Sequence, residues 1–393
     1  MNYLVTCDRF VHDAPGGAYL VAWELALQAE RDGHEVALLC GTPDRHMAQV
    51  TEVEGVRVIR YLLPKLLPID PRRWTAHVEA AATALKVHAG LNWDVIHVHT
   101  LSGGIAAARA GVRGAYVYTV HSPIVLEQQV NWSDGTVSGS LKRILGMPVL
   151  KRQERAMIAK AHIVHALSDY TREELGNLYG TKVAERVVVL PWWQERVKAQ
   201  PRPAVRARLG ISEDVRLLFS LRRLVPRMGL DLLISALARH ARRNDWQLII
   251  GGDGPQRSAL ERQVRESGLG GQVSFRGRMT DHEVHDAYSA CDAFVLPTRA
   301  LECFGIIILE SFAYGRPVLG ARIGAIPELL ERITPDWLFN PGDVDALAHL
   351  LKRVLDRDLR SPDEDKLKEF VAAGFDREVM SSKYRALIEA AAR

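Results

Sequence analysis

Long apolar runs are missing from this chain of 393 residues. Nothing in it approaches the roughly 18 consecutive apolar positions that a membrane helix needs. Cysteine is scarce, and the four present (Cys7, Cys40, Cys291, Cys303) stand apart without a metal-ligand or redox spacing. Each lies in or beside an apolar segment, so the expected role is a small buried hydrophobe in a reducing compartment. Charge of one sign is not in excess: 51 Lys and Arg against 47 Asp and Glu leave +4, too little for bulk attraction to nucleic acid. The first strand candidate begins at Tyr3, without the basic stretch and long apolar core of a secretory signal, and a cytoplasmic location is expected. Low-complexity segments and short repeats are absent. What is there, 47% hydrophobic and 25% charged residues, suits a globular protein with two or three cores.

Short apolar runs alternate with amphipathic stretches. Strands are expected at Tyr3–Cys7, Glu35–Cys40, Val56–Tyr61, Val95–Val98, Tyr116–Val120, Ile163–Ala166 and Val187–Leu190. Helical periodicity marks Ala18–Arg31, Trp74–Ala89, Gly104–Ala110, Leu141–Lys160 and Ser168–Tyr179. Pro191 to Pro203, rich in tryptophan, charge and proline, reads as a linker. A second alternation follows, with strands at Leu217–Leu221, Gln247–Ile250, Val273–Phe275, Ala293–Leu296 and Pro317–Gly320. Its helices are Leu230–Arg242, Pro255–Glu266, Asp281–Ser289, Gly305–Tyr314 and Ala325–Glu331. Strands alternating with helices predict parallel β-α units. The fold class is therefore α/β, with two Rossmann-like parallel-sheet domains facing across a cleft at their strand C-termini. Expected boundaries are residues 1–195, residues 196–375, and a segment 376–393 whose helix (Arg377 to Ala392) crosses back to the first domain.

The most informative stretch is Glu302-Cys303-Phe304-Gly305-Ile306-Ile307-Ile308-Leu309-Glu310. A strand ends at Leu296, a loop runs to Glu302, and a helix starts near Gly305. A helix start offers free N–H groups and a positive dipole end to an anion such as a diphosphate, and Gly305 permits close approach. One carboxylate can then face a bound sugar while the other accepts hydrogen bonds from a ribose.

Other motifs gather at strand ends. Pro15-Gly16-Gly17-Ala18 lies between the first strand and the first helix, where a turn can approach phosphate. Arg222, Arg223 and Arg227 follow the first strand of the second half and can clamp a diphosphate. Gly251-Gly252-Asp253-Gly254-Pro255 reads first as a tight turn, with ligand contact secondary. Phe275-Arg276-Gly277-Arg278-Met279 ends a strand where backbone groups can read a nucleobase. His97 and His99 alternate on one strand, but no third metal ligand follows at a suitable spacing. His121, ending the next strand, better fits a hydrogen bond to a sugar hydroxyl. The pairs Asp343/Asp345, Asp356/Asp358 and Asp363/Asp365 fit helix capping and solvation, and no essential metal is expected. Ile59 to Ile69, with Arg72, Arg73 and Trp74, mixes leucines, bases and an aromatic. It reads as an acceptor loop, with contact at the inner face of a membrane as the other option.

In this order, Gly16-Gly17, His121, Arg223, Gly252 to Pro255, Glu302, Gly305 and Glu310 resemble family 4 of the retaining glycosyltransferases, of GT-B architecture, over nearly the whole chain. The specific part is the glutamate motif, flanked by Pro297 and by Gly315-Arg316-Pro317-Val318. The resemblance implies that Glu302 contacts the donor sugar, Glu310 the ribose, and the amides of Gly305, Ile306 and Ile307 the diphosphate, with Phe304 alongside. Arg222, Arg227, Gly252, Arg278 and Met279 join the nucleotide site. Gly16 and Gly17 line the donor or acceptor side, and His121 meets the transferred sugar. His121, Arg223 and Glu302 are the implied catalytic set. The implied reaction is front-face transfer from a UDP- or GDP-sugar to a saccharide, lipid-linked or small-molecule acceptor. No cofactor beyond that co-substrate, no metal and no nucleic acid is implied.

One departure stands out. The family commonly has Gly-Arg-Leu-x-x-x-Lys-Gly where this chain has Arg222-Arg223-Leu224 and Met228-Gly229. A departing diphosphate needs charge compensation, which Arg223 with Arg222 or Arg227 is expected to supply in place of the lysine. The alternatives are a nucleotide-sugar-binding GT-B protein without turnover, and a GT-B phosphorylase or epimerase. A nicotinamide oxidoreductase is disfavoured, because no G-x-G-x-x-G follows the first strand.

Overall fold

Apolar runs of strand length separated by amphipathic helices build two parallel sheets in the computed structural model, which describes residues 1–14, 16–66, 72–132 and 137–393. Pro15 of the glycine turn, residues 67–71 of the expected acceptor loop, and residues 133–136 lie outside the described residues. The chain divides into two compact units, Met1–Trp192 with Glu378–Arg393, and Trp193–Arg377.

The first unit holds β1 (Asn2–Arg9), β2 (Glu35–Thr42), β3 (Val50–Val53), β4 (Val56–Leu62), β5 (Asn92–Val98), β6 (Arg113–Val120), β7 (Ile163–Ala166) and β8 (Val187–Val189). Their order is β3-β4-β2-β1-β5-β6-β7-β8, parallel except where β3 runs against β4. The four-residue β3, only partly buried, carries too short a pattern to be read from sequence. Alternate residues of each strand serve opposite faces. Leu4, Leu39 and Ile96 join one core with Val78 and Ala106 of the helices Arg73–Ala84 and Leu101–Ala110. Tyr3, Val5 and Leu38 join the other with Trp23 of the helix Gly17–Arg31. Ile388 and Ala391 of the last helix, Arg377–Ala392, enter that second core. Tyr384 donates to the Leu190 carbonyl at 3.0 Å, and Arg385 Nε to Asp32 at 2.8 Å.

The second unit holds β9 (Arg216–Leu221), β10 (Trp246–Gly251), β11 (Val273–Gly277), β12 (Ala293–Leu296), β13 (Val318–Ala321) and β14 (Leu338–Phe339), ordered β11-β10-β9-β12-β13-β14 and all parallel. Two helices, Val344–Leu355 and Glu364–Gly374, close it, and they lie beyond the expected set, as do the helix Arg202–Leu209 and the strand β14. The first carries a periodic apolar face (Leu347, Leu350, Leu351, Val354), and Asp343 caps it by accepting from the Ala346 N–H at 2.8 Å. Among the described residues no helix is long and apolar enough to cross a membrane. Cys7, Cys40 and Cys291 are buried free thiols, and burial pushes Cys40 and Cys291 up to about 12.

Candidate functional site

In the second unit the strand order reverses between β9 and β12, and doubly wound sheets bind ligands at such a switch point, outside the strand C-termini. The loop leaving β9 carries Arg222 to Met228, and the loop leaving β12 carries Thr298 to Gly305. The two loops meet through side chains. Arg222 Nη2 donates to Glu302 Oε2 at 2.6 Å, to Thr298 Oγ1 at 3.3 Å, and to the Met228 sulfur at 2.8 Å. The Arg222 and Glu302 side chains are 7% and 16% exposed, so the pair is screened from bulk water. Arg222 Nε is buried without a hydrogen-bond partner among the described residues.

Backbone crowding fixes this meeting. A Cβ on Gly252 (φ 104°), at the end of β10, would stand 1.9 Å from the Arg222 carbonyl oxygen, so only glycine fits there. Gly324 (φ 59°), after β13, comes equally near the Glu302 carbonyl: a Cβ would lie 2.1 Å away. Ala325 N–H donates to that carbonyl at 2.8 Å. Arg227 Nη1 donates to the Leu301 carbonyl at 2.8 Å, and Leu301 takes a left-handed φ of 59°. Arg227 therefore braces the Glu302 loop.

The helix Ile306–Ala313 begins four residues after Glu302, with Gly305 at its N-cap and no side chain capping it. The first N–H groups of a helix have no acceptor inside it, so the amides of Ile306 and Ile307 suit an anion. Glu310 lies on this helix, and Tyr288 of the helix Asp281–Ala290 donates to its Oε2 at 2.9 Å. Burial pushes the Glu310 carboxyl above the usual carboxylate range, while the Tyr288 hydrogen bond opposes the rise. Tyr288 and Thr298 were not singled out in the sequence. Thr298 had one local signal, its place directly after Pro297, just past the end of β12.

The remaining candidates of this unit fall into three settings. Arg223 is exposed, so it is Arg222 of the arginine pair that meets Glu302. Arg278 is exposed beyond the end of β11, and Met279 lies so close to Gly251 that a Cβ there would be 2.5 Å from its sulfur. Phe304 is buried, its ring 6.4 Å from that of Phe375, which makes its side chain part of the core.

In the first unit the order reverses between β1 and β5. Gly16 stands at the N-cap of the helix Gly17–Arg31, again without a side-chain cap. His121 follows β6, with its Nε2 2.9 Å from Nδ1 of His99. Burial, and then the neighbouring His165, lower the His121 pKa to about 3, so the ring is neutral across the physiological range. His97 is occupied by Tyr3 at 2.5 Å and Thr119 at 2.7 Å. Glu154, a further positioning residue not found in the sequence, is fully buried. It accepts from Tyr118 at 3.1 Å, from Tyr179 at 2.6 Å and from the Ile124 N–H at 3.0 Å, holding the turn that carries His121. The only local clue was an acid on an apolar helix face.

Comparison with known proteins agrees with this geometry. Residues 201–373 match the family model described as glycosyl transferases group 1, and residues 15–193 match that of glycosyltransferase family 4. An uncharacterised glycosyltransferase of Methanocaldococcus jannaschii is 25% identical over 86% of this chain and 85% of its own. A GDP-mannose-dependent alpha-(1-6)-phosphatidylinositol monomannoside mannosyltransferase of Mycobacterium tuberculosis is 30% identical over 54% of this chain and 57% of its own. Among solved structures, Anabaena HepE in complex with UDP-glucose superposes with a TM-score of 0.76 at 20% identity, over 99% of this chain and 100% of that one, a likeness of fold. With both units matched in sequence and the GT-B fold shared along their length, the chain belongs to glycosyltransferase family 4.

Proposed function

We propose that this protein transfers a glycosyl unit from a UDP- or GDP-sugar to an acceptor hydroxyl, with retention at the anomeric carbon and without a required metal. The observation that carries the reading is the Arg222–Glu302 contact on the loop that runs into the uncapped helix start at Ile306. Guanidinium and free amides are the groups that bind a diphosphate, and the carboxylate of Glu302 suits the hydroxyls of the donor sugar. Glu310 keeps acceptor capacity beside Tyr288 for a ribose diol.

In the reaction the bond between the anomeric carbon and the β-phosphate oxygen breaks, and the nucleoside diphosphate leaves with that electron pair. The acceptor oxygen bonds to the anomeric carbon on the same face, and its proton passes to the departing phosphate oxygen. Cation and amides placed where charge grows lower the barrier, commonly the largest single contribution in such sites. The first unit is assigned to the acceptor, with neutral His121 as a hydrogen-bond partner for a sugar hydroxyl and Gly16 and Gly17 at an open helix start. The mannosyltransferase is named for GDP-mannose and the Anabaena structure holds UDP-glucose, so both bases enter the test.

Calorimetry with UDP and GDP comes first, followed by incubation of UDP-glucose or GDP-mannose with saccharide, lipid-linked and polyol acceptors in EDTA. The expected product carries the donor's anomeric configuration by NMR. Failure of both nucleoside diphosphates to bind overturns the reading, and an inverted product or dependence on added metal overturns those parts of it.

A further inference from the structure

Two departures from the family pattern, arginine at 222 in the glycine position and methionine at 228 in the lysine position, are six residues apart in sequence and touching in space. Arg222 Nη2 lies 2.8 Å from the Met228 sulfur. Met228 is buried, and the Arg222 side chain is 7% exposed. A thioether is a weak acceptor and carries no charge, so the sulfur fills space beside the guanidinium without neutralising it. Among the described residues the charge is met by Glu302 alone, and through one nitrogen. Arg222 Nε remains buried without a partner among the described residues, an arrangement that costs stability unless something else binds there.

We propose that positions 222 and 228 form one compensated exchange: the Arg222 guanidinium supplies to the donor diphosphate the cation that the family pattern supplies from lysine at 228, and Met228 makes room for it. The inference rests on the nucleoside diphosphate reading above. A lysine at 228 would bring its ammonium against a buried guanidinium, and two like charges at that separation repel strongly out of water. With glycine at 222 the guanidinium is gone and a lysine fits. Each single reversion is therefore harmful, and the double reversion recovers function. Because a guanidinium is a planar fork, Arg222 also binds phosphate oxygens in pairs, which an ammonium does not.

The test uses the full chain as wild type, Arg222→Gly, Met228→Lys and the double variant. UDP and GDP binding is measured by calorimetry, with uridine and guanosine as references lacking the diphosphate. Arg222→Gly is expected to weaken nucleoside diphosphate binding by about tenfold or more, leaving nucleoside binding unchanged. Met228→Lys is expected to weaken it as well, and the double variant to return to within about threefold of wild type. A double variant that binds no more tightly than Arg222→Gly, or a Met228→Lys protein that binds more tightly than wild type, overturns the pairing. If Arg222→Gly does not fold, Arg222→Lys and Arg222→Gln replace it. The lysine variant is expected to keep the diphosphate increment and the glutamine variant to lose it, and equal binding by the two overturns the proposal. Wild-type protein that binds neither UDP nor GDP removes the transferase reading itself, whereas wild-type binding without rescue removes only the pairing.

Discussion

Arg222 and Glu302, 80 positions apart in the chain, meet at 2.6 Å where the loops leaving β9 and β12 converge. Neither is exposed enough for water to replace the other. A partly buried pair of this kind holds two loops in one register, and removal of either member leaves a poorly solvated charge.

Replacing Glu302 by glutamine keeps the shape and removes the charge. Stability is expected to fall by about 1–3 kcal/mol as Arg222 loses its ionic partner. Glycosyl transfer should fall on the order of 100-fold or more through loss of the carboxylate proposed to face the donor sugar. Thermal unfolding and initial rates measure the two effects separately, and unchanged values of both would remove Glu302 from the site.

The Gly324→Ala variant tests whether backbone crowding sets the position of Glu302. Its Cβ would stand 2.1 Å from the Glu302 carbonyl, at a φ of 59° that alanine resists. A loss of about 1–3 kcal/mol in urea unfolding is expected, together with reduced transfer. Gly270, with nothing within 4 Å of a Cβ built there, is the control position.

His121 is neutral well below physiological pH, since burial first and His165 second lower its pKa to about 3. The profile of kcat/KM between about pH 5 and 8 should therefore show no inflection that depends on this ring. His121→Asn, which retains hydrogen-bonding capacity, should lower the rate and keep the shape of the profile. An inflection in the wild type that vanishes in the variant contradicts the neutral role.

Glu154 tests linkage in the first unit. Burial raises its pKa above the ordinary 4.5, against the opposing hydrogen bonds from Tyr179, Ile124 and Tyr118. A carboxyl whose folded pKa lies above its unfolded one makes the folded state hold the extra proton, so its contribution to stability declines as pH rises from 4.5 through the folded value. Glu154→Gln should flatten that decline in urea midpoints measured from pH 4.5 upward. Parallel curves for wild type and variant rule it out.

Much of the fold was legible, because strand and helix periods are local. The span Ala293–Leu296 was read with the bounds it has, as was the helix Arg377–Ala392. The hairpin strand β3, the strand β14 and the helices Val344–Leu355, Glu364–Gly374, Ile124–Asn131 and Arg202–Leu209 were missed. The first of those helices offered a capping aspartate and an apolar stripe that went unread. In the site, the glutamate motif located the loop and the helix start. Tyr288, Thr298 and Glu154 stayed hidden because their partners lie on other elements.

The order of residues alone determined two series of β-α units, an uncapped helix start at Gly305, and two glutamates placed before and within that helix. Those features depend on neighbours within a few positions, and a chain declares them wherever it folds. Which arginine would reach Glu302 was decided by the tertiary structure. Strand pairing sets β9 beside β12, the glycines at 252 and 324 let adjoining loops close on the two residues, and the Arg222 guanidinium packs against the Met228 sulfur. Contacts between residues this distant depend on how sheets are ordered and packed, which no local pattern encodes.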